Sequence, residues 1–554
     1  MSSQAIAAAI PPALFQAVCS IFHDAQHHTS THRKNVHALV RLHKDHSTLG
    51  EEGERSFFLA FLHCLHHVLN IRKNDELSNR LMRFIVGFLV RLSASSSAPT
   101  TSGQISINQQ ATTRFLENAL LYALDNVDAK DKYVRARLCQ VVVAGVNAVE
   151  EVSAEVFQLL QSKMMERLFD KEAMVRVHAV HAMSRLQALE IDFKGFQTVN
   201  EIFADLLVND PEPQVRKAVL LQIDCNLISL PAVISRARDV EPSIRKLFFT
   251  QKMTEVEIAK LTVEQRDFVL KSGLTDRDEA VSRACVDMIF SHWLEQTNSN
   301  LIEFLTCLDV VSSDGEVAEC ALKSFFKVIP RLFESFPEVY FDHLTVETAF
   351  VLRAYLAFVK DLHDCTNTSQ DINDMVPELT KLKQVMMKFY EYLVAMTDDE
   401  ASKAEVEFIL GEIMSVCSML DSADEMGRRG CCEVTEEILL NMNISDALFE
   451  QGCSLLLKFN ERTVFTDTLV SMARDFMSVA ESTSVDDQTR NMAVLRALAL
   501  LKFLLNSNVD FAPFYDFLND LVIPSVNSRF ALVQTEGLCL LGLYVLSSKV
   551  HVVS

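Results

Sequence analysis

Hydrophobic side chains recur along this chain with the period of an α-helix. From Val175 they return at Ala179, Ala182, Met183 and Leu186, while Arg176, His178, Ser184 and Arg185 fall elsewhere. One face of such a helix is buried and the other is wet. SFFLAFLHCLHHVLNI (56–71), FLENALLYAL (115–124) and NMAVLRALALLKFLLN (491–506) also read as helix, and no segment is rich in strand signals. The clearest interruption, SASSSAPTTSGQISINQQATT (93–113), reads as a flexible Ser/Thr/Gln-rich loop leaving the helical array. Weaker loops are predicted at 364–374, 420–431 and 480–489. The expected division is helical hairpins over 1–92, the loop over 93–113, a central array over 114–330, an acidic helical continuation over 331–490 and a further helical region over 491–554.

A repeat lies beneath this pattern. NDPEPQVRKAVLLQI (209–223), DKEAMVRVHAV (from Asp170) and DVEPSIRKLFF (from Asp239) share an Asp, four residues, an aliphatic and then a cation. The full copies are Asp170/Val175/Arg176, Asp210/Val215/Arg216 and Asp239/Ile244/Arg245. Weaker copies are Asp131/Val134/Arg135, Asp276/Val281 with the cation displaced to Arg283, and Asp314/Val317. Their aliphatic positions lie 41, 40, 29, 37 and 36 residues apart. Irregular spacing near 40 is the mark of HEAT- or armadillo-type helical hairpins, each too small to bury a core alone. The predicted fold is therefore an all-α HEAT-repeat solenoid. In this reading the Asp caps the helix and its carboxylate accepts from first-turn N–H groups. Pro211 and Pro213 fit a turn that needs no donors. The cation after the aliphatic can reach the Asp of an adjacent repeat, so Asp170, Arg176, Asp210, Arg216 and Asp239 form a structural ladder.

Composition supports helices and excludes other classes. The 554 residues contain 14 Gly and 12 Pro, few for so long a chain. No uncharged apolar run nears the roughly 20 residues needed to cross a bilayer, and MSSQAIAAAIPPALF lacks the basic flank of a secretory signal. An intracellular, soluble chain is expected. The 13 cysteines form no C-x-x-C pair, which points to buried thiols rather than a disulfide or zinc framework. Walker, dinucleotide-binding, nucleophile-elbow and H-E-x-x-H motifs are absent, so no enzyme, cofactor or metal is predicted.

The net charge of −22 argues against nucleic acid until its distribution is considered. Residues 1–300 hold 33 Lys and Arg against 35 Asp and Glu, whereas 301–554 hold 19 against 39. The first 92 residues carry 10 cations, 7 carboxylates and 10 of the 16 histidines. Such asymmetry suggests halves that face different partners.

DKEAMVRVHAVHAMSRLQ (170–187), NDPEPQVRKAVLLQI, RARDVEPSIRKLFF (236–249) and LTDRDEAVSRACVDMIFSHWL (274–294) together resemble the N-terminal HEAT array of the condensin CAP-G subunit family. LVIPSVNSRFALVQTEGLCLLGLYVLSSK (521–549) resembles the start of that family's second conserved half. Family chains are roughly twice as long, so the C-terminal region reads as the beginning of a truncated half. The resemblance implies a non-catalytic condensin subunit that binds the kleisin chain and, through it, the SMC ATPase pair. It also implies sequence-independent binding of double-stranded DNA for mitotic chromosome condensation, in the nucleus and on mitotic chromosomes with a cytoplasmic pool. The alternative is a HEAT adaptor for protein cargo, of the nuclear-transport or phosphatase-scaffold kind, without DNA binding.

Stacked hairpins curve, and cations along the concave face would track phosphates without reading bases. The candidates are Arg33, Lys34, Arg72, Lys73, Arg137, Lys217, Arg245, Lys246, Lys252 and Arg283, with Arg72, Lys73, Arg245 and Lys246 ranked first. Against them stands the ladder, which engages the cation after each aliphatic, and for the second cation of each pair a merely solvated face. His63, His66 and His67, like His23, His27 and His28, have helical spacing. They lack a companion acidic or thiol ligand in the same turn and read as core or surface histidines. The acidic stretches 396–408 and 421–426 read as solvated helix ends and loops.

Overall fold

The computed structural model describes residues 10–71, 75–96, 107–149, 153–311, 315–366, 372–396, 400–421, 423–482, 485–507 and 514–553. The fold is an all-α stack of HEAT-type helical hairpins. The chain forms two compact units, Met1–Val256 with Asp276–Met288, and Glu257–Thr275 with Ile289–Ser554.

In the first unit the hairpins alternate between two layers. The first layer contains α1 (Pro12–Ala25), α3 (Glu51–Leu69), α5 (Ile107–Asn126), α7 (Ala154–Leu168) and α9 (Val199–Asn209). The second contains α2 (His32–Ser47), α4 (Glu76–Ser96), α6 (Lys132–Ala148), α8 (Ala173–Met183) and α10 (Pro213–Gln222). After α11 (Leu230–Ser235) it continues with α12 (Pro242–Leu247), which runs on through a π turn at Phe248–Lys252. Each second-layer helix packs against the next of its kind, and α6, α8 and α10 pack back on α5, α7 and α9. Pro213 and Pro242 open α10 and α12, where a missing N–H costs nothing. The apolar stripes meet between the layers, with Phe57, Phe61, Phe84, Phe88 and Phe203 fully buried. Burial of this kind stabilises by about 1.5–3 kcal/mol per large apolar side chain.

The chain then passes through α13 (Val263–Leu274), of the second unit, and α14 (Glu279–Met288), which packs beside α12 in the first. The second unit continues with α15 (Leu301–Leu308), α16 (Glu316–Val328), α17 (Glu338–Asp342), α18 (Val346–Thr366), α19 (Leu379–Ala395) and α20 (Glu400–Met419). It ends with α21 (Glu425–Leu440), α22 (Asp446–Phe459), α23 (Arg462–Glu481), α24 (Asp487–Asn506) and α25 (Ala531–Val553). Here α16, α18, α20 and α22 pack side by side, and α19 packs on α21.

Several boundaries differ from the sequence reading. Helix α4 runs to Ser96 and α5 starts at Ile107, so helix enters both ends of the loop expected at 93–113. Ala111 and Thr112 are buried there, which polar composition alone conceals. Likewise α18 extends to Thr366, α21 begins at Glu425, α23 extends to Glu481 and α24 begins at Asp487. The sequence reading also missed a β-hairpin. Strand β1 (Glu190–Phe193) pairs antiparallel with β2 (Phe196–Thr198) across Lys194 and Gly195, at φ 51 and φ 86. Two successive residues with positive φ suit a tight two-residue hairpin turn, but strands of three and four residues are too short for alternation to register.

Candidate nucleic-acid interface

The Asp and Arg positions of the repeat form a continuous ladder in the first unit. Arg135 donates Nε and Nη2 to Asp170 at 2.9 and 3.0 Å. Arg176 does the same to Asp210 at 2.7 and 2.8 Å, and Arg216 to Asp239 at 2.9 and 2.9 Å. Arg245 donates to Asp276 at 2.6 and 2.9 Å. Every one of these guanidiniums therefore grips the carboxylate one repeat ahead. The Nη1 of Arg176, Arg216 and Arg245 also donates to the carbonyl of its own repeat's Asp, at 2.8, 2.9 and 2.9 Å. The pairs are buried, and their bidentate geometry is the strong form of such a contact.

Asp170, Asp210 and Asp239 do not cap the helices that follow. Glu172, Glu212 and Glu241 hold the N-cap positions, and no side-chain cap bond forms. Each Asp instead accepts the backbone N–H two residues on, at 2.9 Å in all three repeats. This local turn fixes both carboxylate oxygens toward the incoming guanidinium. Asp131, in the shorter copy, is a true cap and accepts from Tyr133 and Val134. Burial alone would raise the carboxyls of Asp170, Asp239 and Asp276, but their arginine and backbone donors hold all three below the ordinary range. The bond to Asp239, opposed by burial, raises Arg216, and Asp276 does the same for Arg245.

This ladder and the core take three phosphate candidates out of reach. Arg245 is buried and held by Asp276. Arg137 is buried and donates Nη1 to the carbonyls of Val68, Leu69 and Ile71, completing the C-terminus of α3. Burial lowers its pKa, with Asp75 and Asp131 opposing. Lys252 lies buried in the π turn and donates to Glu255 at 2.8 Å. Arg72 and Lys73 lie outside the described residues, as does Asp314.

The remaining candidates are exposed on α2, α10 and α12 of the second layer and on α14. Lys217, Lys246 and Arg283 each follow the buried ladder aliphatic (Val215, Ile244, Val281) by two residues, so they occupy one register on α10, α12 and α14. These helices pack in sequence and bring the three cations into a row. Arg283 bridges Glu279 on its own helix, whereas Lys217 and Lys246 stand exposed without an acidic residue on theirs. Arg33 and Lys34 stand exposed on α2, whose opposite face buries Val36, Leu39 and Val40.

Sequence reasoning missed His37 and Arg41. They follow Arg33 at four-residue steps on the same exposed stripe, and that recurrence within HRKNVHALVRLHKDH was the available signal. Arg83 and Arg91 are exposed on the neighbouring α4. Across the six helices α2, α4, α6, α8, α10 and α12 the only carboxylates are Asp45 and Glu76, and α6, α8, α10 and α12 contain none. The first layer carries the acids, including Glu51, Glu52 and Glu54 on α3, Glu155 and Glu166 on α7, and Glu201 and Asp205 on α9. Acidic charge is thus sorted by layer within a stretch whose net charge is near zero, while cations occur on both layers.

The histidines form packing pairs. The His63 and His67 Nε2 atoms lie 3.2 Å apart, and His66 contacts the Tyr122 hydroxyl. Burial, then neighbouring histidines, lowers the pKa values of His63 and His66. Among the described residues no three His, Cys, Asp or Glu side chains converge as a metal site. No described helix is long and apolar enough to cross a membrane.

Comparisons with known proteins agree with this architecture. No family model matches the chain. Condensin complex subunit 3 of Schizosaccharomyces pombe is 30% identical over 475 residues, covering 85% of this chain and 50% of that protein. The Homo sapiens protein of that name is 24% identical over 465 residues, covering 80% of this chain and 44% of its own length. The solved S. pombe condensin Cnd3-Cnd2 subcomplex matches with a TM-score of 0.76 and 29% identity, over 95% of this chain and 64% of that one. The chain spans about half the length of the curated relatives it matches.

Proposed function

Because the chain is a relative of condensin complex subunit 3 over 85% of its length, we propose that it is a non-catalytic HEAT-repeat component of a condensin-type complex. It binds double-stranded DNA through the second-layer helices of the first unit and holds the kleisin chain, which links it to the SMC ATPase pair. It works on mitotic chromosomes in the nucleus, and any ATP chemistry belongs to its partners.

One observation carries the DNA reading: carboxylates are concentrated on the first helix layer of the first unit and nearly absent from the helices of the second, which keep their cations. Lys34, Arg41, Lys217 and Lys246 present charge on helices that carry almost no acid. Such a surface neutralises phosphates, releases counterions and ignores sequence. The kleisin reading is supported by the solved S. pombe relative, which is a two-chain Cnd3-Cnd2 subcomplex. A cargo adaptor that grips basic signals would need acid on this layer, which is where it is scarcest.

The test is a DNA gel shift across salt, with and without the kleisin segment. Charge reversal at Lys34 and Lys246 should weaken binding about tenfold or more and flatten the salt slope by about 0.9 for each phosphate no longer neutralised. Unchanged affinity and slope in both settings would overturn the DNA assignment.

A further inference from the structure

The second unit contains a pocket that the DNA and kleisin readings do not use. It measures about 590 Å³ and lies among α16, α18, α20 and α22. Glu319, Arg353, Glu407 and Glu412 line it, with Phe350 and Phe408 among its apolar walls. Arg353 donates Nη1 to Glu319 at 2.5 Å and Nε to Glu412 at 2.8 Å. Lys323 bridges Glu319 at 2.7 Å from the same helix. Glu407 accepts the Ser445 backbone N–H at 2.9 Å, and among the described residues lining the pocket Arg353 is the one cation.

Glu407 and Glu412 are 7% and 6% exposed. Ser445 and Arg353 engage the Oε2 of each, and both side chains line the pocket, so a second oxygen on each is left for an incoming donor. One guanidinium serves two carboxylates there, and a third is met by a neutral amide. A buried site short of positive charge is completed by a cation. Phe350 is fully buried with the Arg353 guanidinium 5.0 Å from its ring, but the half-buried Phe408, with Val310 and Val311 also lining the pocket, suits the apolar stem of a long basic side chain rather than a hydrated ion. A planar fork matches two separated carboxylate oxygens better than an ammonium does.

We propose that this pocket is a socket for one arginine side chain on an extended partner segment, seated with its stem along Phe408 and its guanidinium on Glu407 and Glu412. The socket belongs to the second unit and stands independently of the DNA and kleisin assignments. Burial, opposed by Arg353, raises Glu412 to about 7, so whatever fraction is protonated must release its proton as the guanidinium arrives. Binding should therefore weaken as pH falls below about 7.

The probe is a fluorescein-labelled Ala-Leu-Arg-Leu-Ala peptide, blocked at its C-terminus and titrated onto the full chain by anisotropy. Its control carries citrulline, a neutral isostere of arginine. The arginine probe should bind about tenfold or more tightly than the citrulline probe. Glu412→Gln and Glu407→Gln should each remove most of that difference, while leaving the circular dichroism spectrum and DNA affinity unchanged. Glu407→Asp should restore part of it. Equal binding of the two peptides, no binding at millimolar concentration, or full discrimination by both Gln variants would overturn the socket. So would equal displacement of the probe by spermidine, because a polyamine needs no apolar walls. Because DNA affinity is read in the same samples, failure here is separable from failure of the DNA reading.

Discussion

The two units use the same device, a buried arginine between helices, and obtain opposite electrostatics from it. In the first unit each ladder guanidinium meets the carboxylate of the next repeat, and Asp239 even has a second guanidinium from Arg236. Charge is balanced, and Asp170, Asp239 and Asp276 titrate below the ordinary range despite burial. In the second unit Arg353 is shared by Glu319 and Glu412. Glu319 is still drawn down, against burial, by Arg353 and Lys323, whereas burial pushes Glu412 up to about 7. At Glu412 burial outweighs the shared guanidinium, whereas at the ladder aspartates the arginine and backbone donors together outweigh burial. The difference extends to composition along the helices. Helix α20 alone carries Glu400, Glu405, Glu407 and Glu412 against Lys403, while α6, α8, α10 and α12 carry no acid.

The largest break in this comparison should come from the ladder. Asp210→Asn strands the buried Arg176, and losing one partner of such a pair costs about 3–5 kcal/mol, readable by urea denaturation. The matching pH dependence has a definite sign. Because the folded-state carboxyls titrate low, the ladder's contribution is present above the unfolded value of about 3.9 and is lost as pH falls through the folded values. Unfolding of the first unit should therefore steepen below about pH 4.

Next in size, reversing Lys217 and Lys246 together should weaken DNA binding about tenfold or more. A smaller effect sharpens the comparison from the other side. With its folded pKa raised, Glu412 favours the folded state at low pH and loses that contribution as pH rises from the ordinary carboxylate range to about 7. Glu412→Gln should then stabilise the second unit by about 1 kcal/mol at pH 8 and by nothing near pH 4. The smallest effect is expected at Arg283 and Glu279, exposed by 71% and 80%, where removing the pair should cost no more than about 0.5 kcal/mol.

The helical class and the repeat were legible because burial imposes a 3.6-residue period on the residues themselves, as from Val175 to Leu186. The Asp–Arg spacing was legible because each contact joins neighbouring copies of one motif. The detailed role of Asp was not. Whether a carboxylate caps a helix or closes the turn before it depends on two residues of backbone geometry, which a D-x-x-x-x-V-R pattern does not distinguish. Phosphate candidates sorted unevenly for a related reason. Adjacent cations such as Arg245 and Lys246 look alike in sequence, yet one step around a helix turns the first into the ladder and the second to solvent. Arg137 was misread because its carbonyl partners at 68, 69 and 71 lie at and just beyond the end of α3, far away in sequence. The pocket of the second unit was invisible, since Glu319, Arg353, Glu407 and Glu412 come from three helices with no repeating spacing.

The most direct test of the layer-sorted charge compares two charge-matched variants of the full chain. One carries Lys217→Glu and Lys246→Glu on α10 and α12. The other carries Lys327→Glu and Lys458→Glu, exposed on α16 and α22 of the second unit. The slope of log affinity for duplex DNA against log salt should fall by about 2 in the first variant and stay at the parent value in the second. Equal changes in both would mean that only net charge matters, and that the second-layer helices of the first unit are not where the phosphates lie.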